Sequence, residues 1–251
     1  MKKFYVIGNK VSQSLSPLIF NYWFKKYKIN AKYFYLELTE KNFDKNINEL
    51  LNKKETTGLN ITIPFKKKII KHLYSLDSHS SEINAVNCVY YKNKKQHGKN
   101  TDWQGYYNSL PKMKALKEKK ILLIGYGGAA HAIHYVLARK GVKNIIILNR
   151  TKKKIRYQKT TRYTISLNKI EKYVGDADII INTTPKNPIN TKVSKLINKD
   201  VLLSDIVYIP KITSFLKRFR KNPKVYGIQM LLNQAVPCFK TWFGFNPLID
   251  N

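Results

Sequence analysis

The chain has 251 residues, 43% of them hydrophobic, and carries 47 Lys and Arg against 15 Asp and Glu, a formal net charge of +32 at pH 7. This is enough chain for one or two globular domains with an ample core, and no apolar run reaches the roughly 18 residues of a membrane span. The two cysteines, Cys88 and Cys238, stand in no C-x-x-C spacing, so neither a disulfide framework nor a zinc site is suggested and a reducing compartment, the cytoplasm, is expected.

In chain order, MKKFYVIGNK has too short an apolar stretch for a signal peptide and predicts a first strand. Residues 17–27 predict an amphipathic helix with Pro at its start. A strand at 32–38 and a helix at 41–52 follow. Residues 58–63 predict a strand stopped by Pro64, and Pro64 is expected to open a helix running to about 72. Segments 87–91 and 95–98 predict a hairpin around Lys92-Asn93-Lys94. From Lys120 the alternation resumes, with strands at 121–124, 144–148, 163–166, 179–182, 201–204 and 225–226. The last predicted helix, 229–243, has an apolar face that could return to cover the open-edged N-terminal layer. There are no internal repeats, and the Lys runs read as solvated surface.

The segment ILLIGYGGAAHAIHYVL, followed by NIIILNRT, is the most specific signal. After the strand, Gly125-Tyr126-Gly127-Gly128-Ala129-Ala130 fits G-x-G-x-x-G/A at Gly125, Gly127 and Ala130. Gly125 permits the tight turn, Gly127 lets backbone N–H groups approach a pyrophosphate, and Ala130 allows close helix–strand packing. The helix N-terminus favours the phosphate charge. The next strand ends in Asn149-Arg150-Thr151 and not in an acidic residue that would hold a ribose 2′-hydroxyl. An Arg there accommodates a 2′-phosphate, which points to NADP over NAD.

Four polar clusters lie at strand ends or turns, where open α/β sheets bind ligands. Ser12 to Pro17 presents hydroxyls at a helix start, a pattern an ordinary N-cap also produces. In Asn60 to Lys66, alternation puts Asn60 and Thr62 on one side, and Lys66 is expected in the first turn of a helix, where a cation opposes the dipole. Asn84-Ala85-Val86-Asn87 is the third. Asn100-Thr101-Asp102 is the fourth, with Asp102 expected to cap the next helix.

Taken in order, these motifs resemble the shikimate dehydrogenase family almost end to end. S-x-S-P is Ser14 to Pro17, N-[IV]-T-[IV]-P-[FY]-K is Asn60 to Lys66, and G-A-[VI]-N is Asn84 to Asn87 with Asn in place of Gly. G-x-N-T-D is Gly98 to Asp102. G-x-G-G-A is Gly125 to Ala129, N-R-[TS] is Asn149 to Thr151, and N-[AT]-[ST] is Asn182 to Thr184. D-x-x-Y-x-P-x-x-T falls on Asp205, Tyr208, Pro210 and Thr213, and G-x-x-M-L-x-x-Q-A on Gly227, Met230, Leu231, Gln234 and Ala235. The resemblance implies reversible reduction of 3-dehydroshikimate to shikimate with NADPH. It implies an α/β fold with an N-terminal substrate domain, 1–101 completed by 238–251, and a Rossmann-type NADP-binding domain, 102–237, the active site lying in a cleft between them. By the same resemblance Lys66 and Asp102 are the catalytic pair. Ser14 and Ser16 hold the substrate carboxylate with Tyr208 near it, and Asn60, Thr62, Asn87, Asp102 and Gln234 bind ring hydroxyls. Gly125, Gly127, Gly128, Ala129, Asn149, Arg150, Thr151, Thr184, Gly227 and Met230 bind the cofactor. The expected protein is a monomer or homodimer.

Departures from the family pattern are Tyr126 between the glycines, Phe20 for a frequent His, Tyr226 for a frequent Asp, and Pro185-Lys186-Asn187-Pro188 where Gly-Met is usual. His131 and His134 are an i, i+3 pair without a third ligand, so no metal is expected. Other readings are a quinate/shikimate dehydrogenase with relaxed cofactor use, a distant folate-dehydrogenase relative, and a polyanion-binding protein on a dehydrogenase scaffold. Against the last stand the scatter of the lysines, the small share of Arg, which is the better phosphate reader, and the abundance of Asn, Ile and Tyr. No specific nucleic-acid partner is expected.

Overall fold

The computed structural model describes residues 1–157 and 160–250. They form two compact units, Met1–Asp102 with Gln234–Asn251, and Trp103–Asn233.

The first unit runs β1 (Lys2–Gly8), α1 (Ser16–Lys26), β2 (Ala31–Glu37), α2 (Phe43–Asn52), β3 (Thr56–Ile61), β4 (Ser75–Leu76), α3 (Ser78–Ile83), β5 (Cys88–Lys92) and β6 (Lys95–Lys99). Its sheet has the order β2-β1-β3-β5-β6-β4, with β1 parallel to β2 and β3, and β5 antiparallel to β3 and β6. Alternation along β1 sends Ile7 into one apolar layer with Phe43, Ile47, Leu59, Phe65 and Val89. Phe4 and Val6 go into the other, with Phe20, Trp23, Phe24 and Tyr33. The C-terminal helix closes this second layer through Ala235, Cys238 and Phe239. Gly58 is required by that closure, since a Cβ there would lie 2.5 Å from the Trp242 indole. The hairpin turn places Asn93 and Lys94 at φ 50° and 60°, the positive values a two-residue turn of this hand demands.

One predicted element is shortened and of another type. Residues 63–67 form turns, Pro64 follows a cis peptide bond, and only Lys68–His72 is helical, as a 3-10 turn. Tertiary pairing explains this. The Lys66 carbonyl, which an α-helix would give to Ile70, accepts from the Val86 N–H at 2.8 Å, while the Ile70 N–H turns to Lys67.

After α4 (Asp102–Ser109), whose first residue belongs to the first unit, the second unit continues as β7 (Ile121–Ile124), α5 (Gly128–Arg139), β8 (Ile145–Asn149), β9 (Lys154–Tyr157), β10 (Thr160–Tyr163), β11 (Ile165–Ser166), α6 (Glu171–Val174), β12 (Ile179–Asn182), α7 (Thr191–Ser194), β13 (Leu202–Asp205), α8 (Ser214–Arg218) and β14 (Lys224–Val225), and the C-terminal helix already met, α9 (Gly227–Phe243), begins in the second unit and passes into the first at Gln234. The main sheet is parallel throughout, in the order β11-β8-β7-β12-β13-β14. Its central strands ILLI and IIIN are buried along their whole length, as strands covered on both faces must be. The strand predicted at 163–166 is divided. Thr160–Tyr163 pairs antiparallel with Lys154–Tyr157, and only Ile165–Ser166 joins the sheet. The break is at Thr164, whose N–H donates to Lys153 O and whose hydroxyl accepts from Lys153 N, both at 2.9 Å.

Candidate functional site

The first unit holds a buried polar cluster. Lys66 Nζ donates to Asp102 Oδ2 at 2.6 Å, and the two residues are 8% and 4% exposed. Charges so far out of water persist only when paired. The other Asp102 oxygen accepts from Asn87 Nδ2 at 3.0 Å. Asn87 Oδ1 accepts from the Thr101 N–H at 2.7 Å, and Asn87 Nδ2 also reaches Thr101 Oγ1 at 2.9 Å and Gln234 Oε1 at 3.1 Å. Asn60 Nδ2 donates to Asn87 O at 2.9 Å and to Cys238 Sγ at 3.1 Å, while its Oδ1 accepts from the Tyr33 hydroxyl at 2.7 Å. The structure thus brings Lys66, Asp102, Asn60, Asn87 and Gln234 together.

Local sequence explains how they meet. Asn100 Nδ2 donates to Ala85 O at 2.9 Å, and Asn100 Oδ1 accepts from Asp102 N at 3.0 Å, so one side chain ties the 84–87 loop to the start of α4. Asn84 closes α3 in the left-handed region at φ 55°, which glycine adopts freely and Asn tolerates best among the rest. Two expectations are corrected. Lys66 lies in the turn that leads into the short 3-10 helix at Lys68 and not in the first turn of an α-helix. Asp102 is the first residue of α4 and not its cap, because both carboxylate oxygens face Asn87 and Lys66.

Ser14 is partly exposed and Ser16 buried, before and at the start of α1. Ser14 Oγ accepts from the Ser16 N–H at 3.2 Å. The preceding loop is pinned by Glu37, whose carboxylate accepts from the Ser12 and Val11 N–H groups at 2.9 Å and is held below the usual carboxylate range chiefly by the Ser12 bond. Thr62 is partly exposed just beyond β3, its N–H donating to Ile7 O at 2.8 Å.

In the second unit, Gly125 has φ 95°, and a Cβ there would meet Thr183 Oγ1 at 2.4 Å. Gly127 caps α5 in extended backbone, and a Cβ on it would meet nothing within 4 Å. A left-handed glycine turn followed by an open helix N-terminus, with Gly128 and Ala129 in its first turn, is a geometry that suits a pyrophosphate. Asn149 Oδ1 accepts from the Tyr126 N–H at 3.1 Å, and its Nδ2 donates to Thr151 O at 2.8 Å. This couples the glycine loop to the turn bearing Arg150, which is exposed. The residues present therefore fit a dinucleotide with a 2′-phosphate. Tyr126 is 4% exposed and stacked on His131 at 4.2 Å. It lies away from solvent, and burial pushes its hydroxyl up to about 12.

Tyr208 stands partly exposed in a loop clamped by Asp205, whose oxygens accept from Thr213 Oγ1 at 2.6 Å, Val207 N at 3.0 Å and Asn182 Nδ2 at 3.2 Å. Thr184 bonds back to Asn182 Oδ1 at 2.8 Å. A Cβ on Gly227 would come within 2.5 Å of the Ile206 and Val207 carbonyl oxygens, so only glycine fits there, and Met230 is buried one turn on. Sequence reasoning did not find Tyr33 or Cys238. Tyr33 meets Asn60 across β1, where Phe4 pairs with Tyr33 and Val6 with Asn60, and Cys238 comes from the C-terminal helix, so no local motif records either link.

Residues 6–89 match the model of the shikimate dehydrogenase substrate binding domain, and residues 109–221 match that of shikimate / quinate 5-dehydrogenase. The shikimate dehydrogenase (NADP(+)) of Staphylococcus aureus (strain MSSA476) is 37% identical over 247 residues, covering 96% of this chain and 92% of that protein. Its counterpart in Pelagibacter ubique (strain HTCC1062) is 37% identical over 263 residues, covering 100% and 96%. The crystal structure of shikimate dehydrogenase from Aquifex aeolicus aligns with a TM-score of 0.85 at 31% identity, over 99% of this chain and 94% of that one. The chain belongs to the shikimate dehydrogenase family.

Proposed function

We propose that this protein reduces 3-dehydroshikimate reversibly to shikimate with NADPH, and that Lys66 and Asp102 are its catalytic pair. The observation that carries the reading is the 2.6 Å pair of Lys66 and Asp102, buried and ringed by Asn87, Thr101 and Gln234. When bound, NADPH supplies the hydride. A ketone becoming an alcohol gathers negative charge on oxygen. The Lys66 ammonium neutralises that charge and gives the oxygen its proton, while Asp102 holds the ammonium in place. In the reverse direction the same pair takes the hydroxyl proton.

Asn60, Thr62, Asn87 and Gln234 orient the ring hydroxyls, with Asn60 working largely through its neighbours because both its amide protons are engaged. Ser14, Ser16 and Tyr208 hold the carboxylate. The first unit is the substrate domain. The second binds NADP through Gly125, Gly127, Gly128, Ala129, Asn149, Arg150, Thr151, Thr184, Gly227 and Met230. No helix among the described residues is long and apolar enough to cross a membrane, and we place the enzyme in the cytoplasm as a monomer or homodimer. The test is NADP reduction by shikimate beside quinate and beside NAD. Rapid turnover of shikimate with NADP alone is expected, and quinate or NAD used equally well would overturn the assignment.

A further inference from the structure

We propose that Glu37, which belongs to none of the motifs above, is a positioning residue for the substrate carboxylate: through the Val11–Ser12 peptide group it sets the loop from which Ser14 and Ser16 act. The inference rests on the functional reading above, in which those two serines hold the carboxylate.

Glu37 ends β2 and pairs with Gly8, which ends β1. The Leu38 N–H donates to Gly8 O at 2.9 Å and fixes the strand end. Val11 is buried in the second apolar layer, and a Cβ on Gly8 would lie 2.5 Å from its Cγ1, so the loop after β1 folds back directly over the strand end. One Glu37 oxygen, Oε1, then accepts from two consecutive backbone donors, the Val11 and Ser12 N–H groups, each at 2.9 Å. The Ser12 N–H and the Val11 carbonyl are two ends of one peptide group. That group is planar, so holding its N–H fixes the direction of its C=O. The Val11 carbonyl accepts from the Ser14 N–H at 2.9 Å. Ser14 Oγ accepts in turn from the Ser16 N–H at 3.2 Å, which directs the hydroxyl's own proton away from that N–H. A chain of hydrogen bonds therefore runs from the Glu37 carboxylate to both serines.

The negative charge of Glu37 opposes an incoming carboxylate, but Glu37 is exposed and water and salt screen that repulsion. Its bonds to the loop are short-range and charge-assisted, a stronger class than bonds between neutral groups. The positioning effect therefore outweighs the repulsion, and three substitutions separate the two. Glu37→Ala removes the acceptor. Glu37→Asp keeps the charge and shortens the reach by one methylene. Glu37→Gln removes the charge and keeps an oxygen at the same reach.

The carboxylate lies away from the reacting carbon, so its loss of grip should appear in KM and not in kcat. Glu37→Ala and Glu37→Asp should each raise the KM for shikimate roughly 3- to 10-fold, with kcat and the KM for NADP unchanged. Glu37→Gln should stay within about threefold of wild type. The inhibition constant of the shikimate analogue with a hydroxymethyl group in place of the carboxylate should be the same in all four proteins. Steady-state kinetics in both substrates, beside melting temperatures, reads every arm, and the Asp and Gln pair carries the test if the Ala variant folds poorly. An impaired Gln variant beside a normal Asp variant would show that charge and not position matters, and overturns the proposal. A lower KM for shikimate in any variant overturns it too, as does a parallel rise in the KM for NADP or in the inhibition constant of the analogue. A wild type inert to shikimate overturns the functional reading and this inference with it. An active wild type with unchanged variants overturns the inference alone.

Discussion

Replacing Asp102 by Asn keeps the shape of the side chain and removes its charge, so it isolates the electrostatics of the Lys66 pair. The Nζ–Oδ2 separation is 2.6 Å, and the side chains are 11% and 6% exposed. At an effective dielectric of about 20, the attraction across that distance is about 6 kcal/mol. Part of it offsets the cost of drying two ions, and breaking such a pair on one side leaves a net loss of about 3–5 kcal/mol. For a chain of this length each kcal/mol moves the melting temperature by about 2–4 °C, so Asp102→Asn should melt about 6–20 °C lower. The asparagine can still accept from Asn87, but its amide faces the Lys66 ammonium donor to donor. Turnover of shikimate should fall about 10²–10⁴-fold. The decisive comparison is the double variant Lys66→Met, Asp102→Asn, which removes the stranded charge. It should regain at least half of the lost melting temperature and none of the activity. Calorimetry beside an NADPH absorbance assay measures both. A single variant as stable as wild type, or a double variant less stable than the single, would refute the view that a buried ion pair organises the site.

Arg150→Ala should raise the KM for NADPH roughly ten- to a hundred-fold and leave NADH nearly unchanged, since it removes charge-assisted bonds to the 2′-phosphate; equal losses with both cofactors would contradict the assignment. Gly127→Ala fills open space and should leave the melting temperature of the free protein unchanged, while its methyl crowds the phosphate and raises the KM for NADP about tenfold; an unaltered KM removes the cradle. His134 is lowered to about 4 by burial, with Arg162 adding to it. The unfolded chain therefore binds more protons between about 6.5 and 4, and stability is full above that window and falls through it. His134→Gln should flatten the fall of melting temperature with pH across that range, and a parallel curve would speak against it. Binding of labelled RNA and DNA oligomers should fall steeply with salt and be no tighter than about 10⁻⁶ M near physiological ionic strength; nanomolar binding to one sequence would show a true nucleic-acid partner.

Much of this was legible in the sequence wherever a local pattern has a local cause. The buried runs Ile121–Ile124 and Ile179–Asn182, the glycine turn at Gly125 and the 93–94 hairpin turn each follow from residues a few positions apart. The helix expected after Pro64 failed because Val86, twenty residues away, claims the Lys66 carbonyl. The strand at 163–166 failed because Thr164 bonds to Lys153 and breaks it. Lys66, Asn87 and Asp102 could be named from their motifs, yet the bonds among them depend on Asn100 and on the β3–β5 register. Tyr33 and Cys238 belong to no motif, and only the folded sheet and the C-terminal helix packed on it bring them to Asn60.

The placement of the few carboxylates bears on the meaning of the +32 charge. Asp102 holds Lys66, and Asp205 clamps the Tyr208 loop through Thr213 and Val207. Glu37 pins two N–H groups before α1, and Asp77 caps α3 through the Ser80 N–H at 2.8 Å. Asp44 gathers His72, Lys71 and Lys68 and is held at about 2, first by His72 and then by Lys71. Asp178 bonds the Lys119 side chain and the Lys120 N–H at the foot of β7. These acids each have defined donors whose loss would leave a loop, cap or ion pair unmade. Exposed acids without such duties are the ones a chain can lose at little cost, since surface substitutions usually stay within about 0.5 kcal/mol. Lysine gained at exposed positions is tolerated on the same ground, because surface ion pairs contribute about 0–1 kcal/mol. A surplus built by such steps is spread over the surface and leaves the carboxylates of the site and its scaffold in place. A surface selected to grip a polyanion would instead concentrate arginine and aromatic side chains along one track.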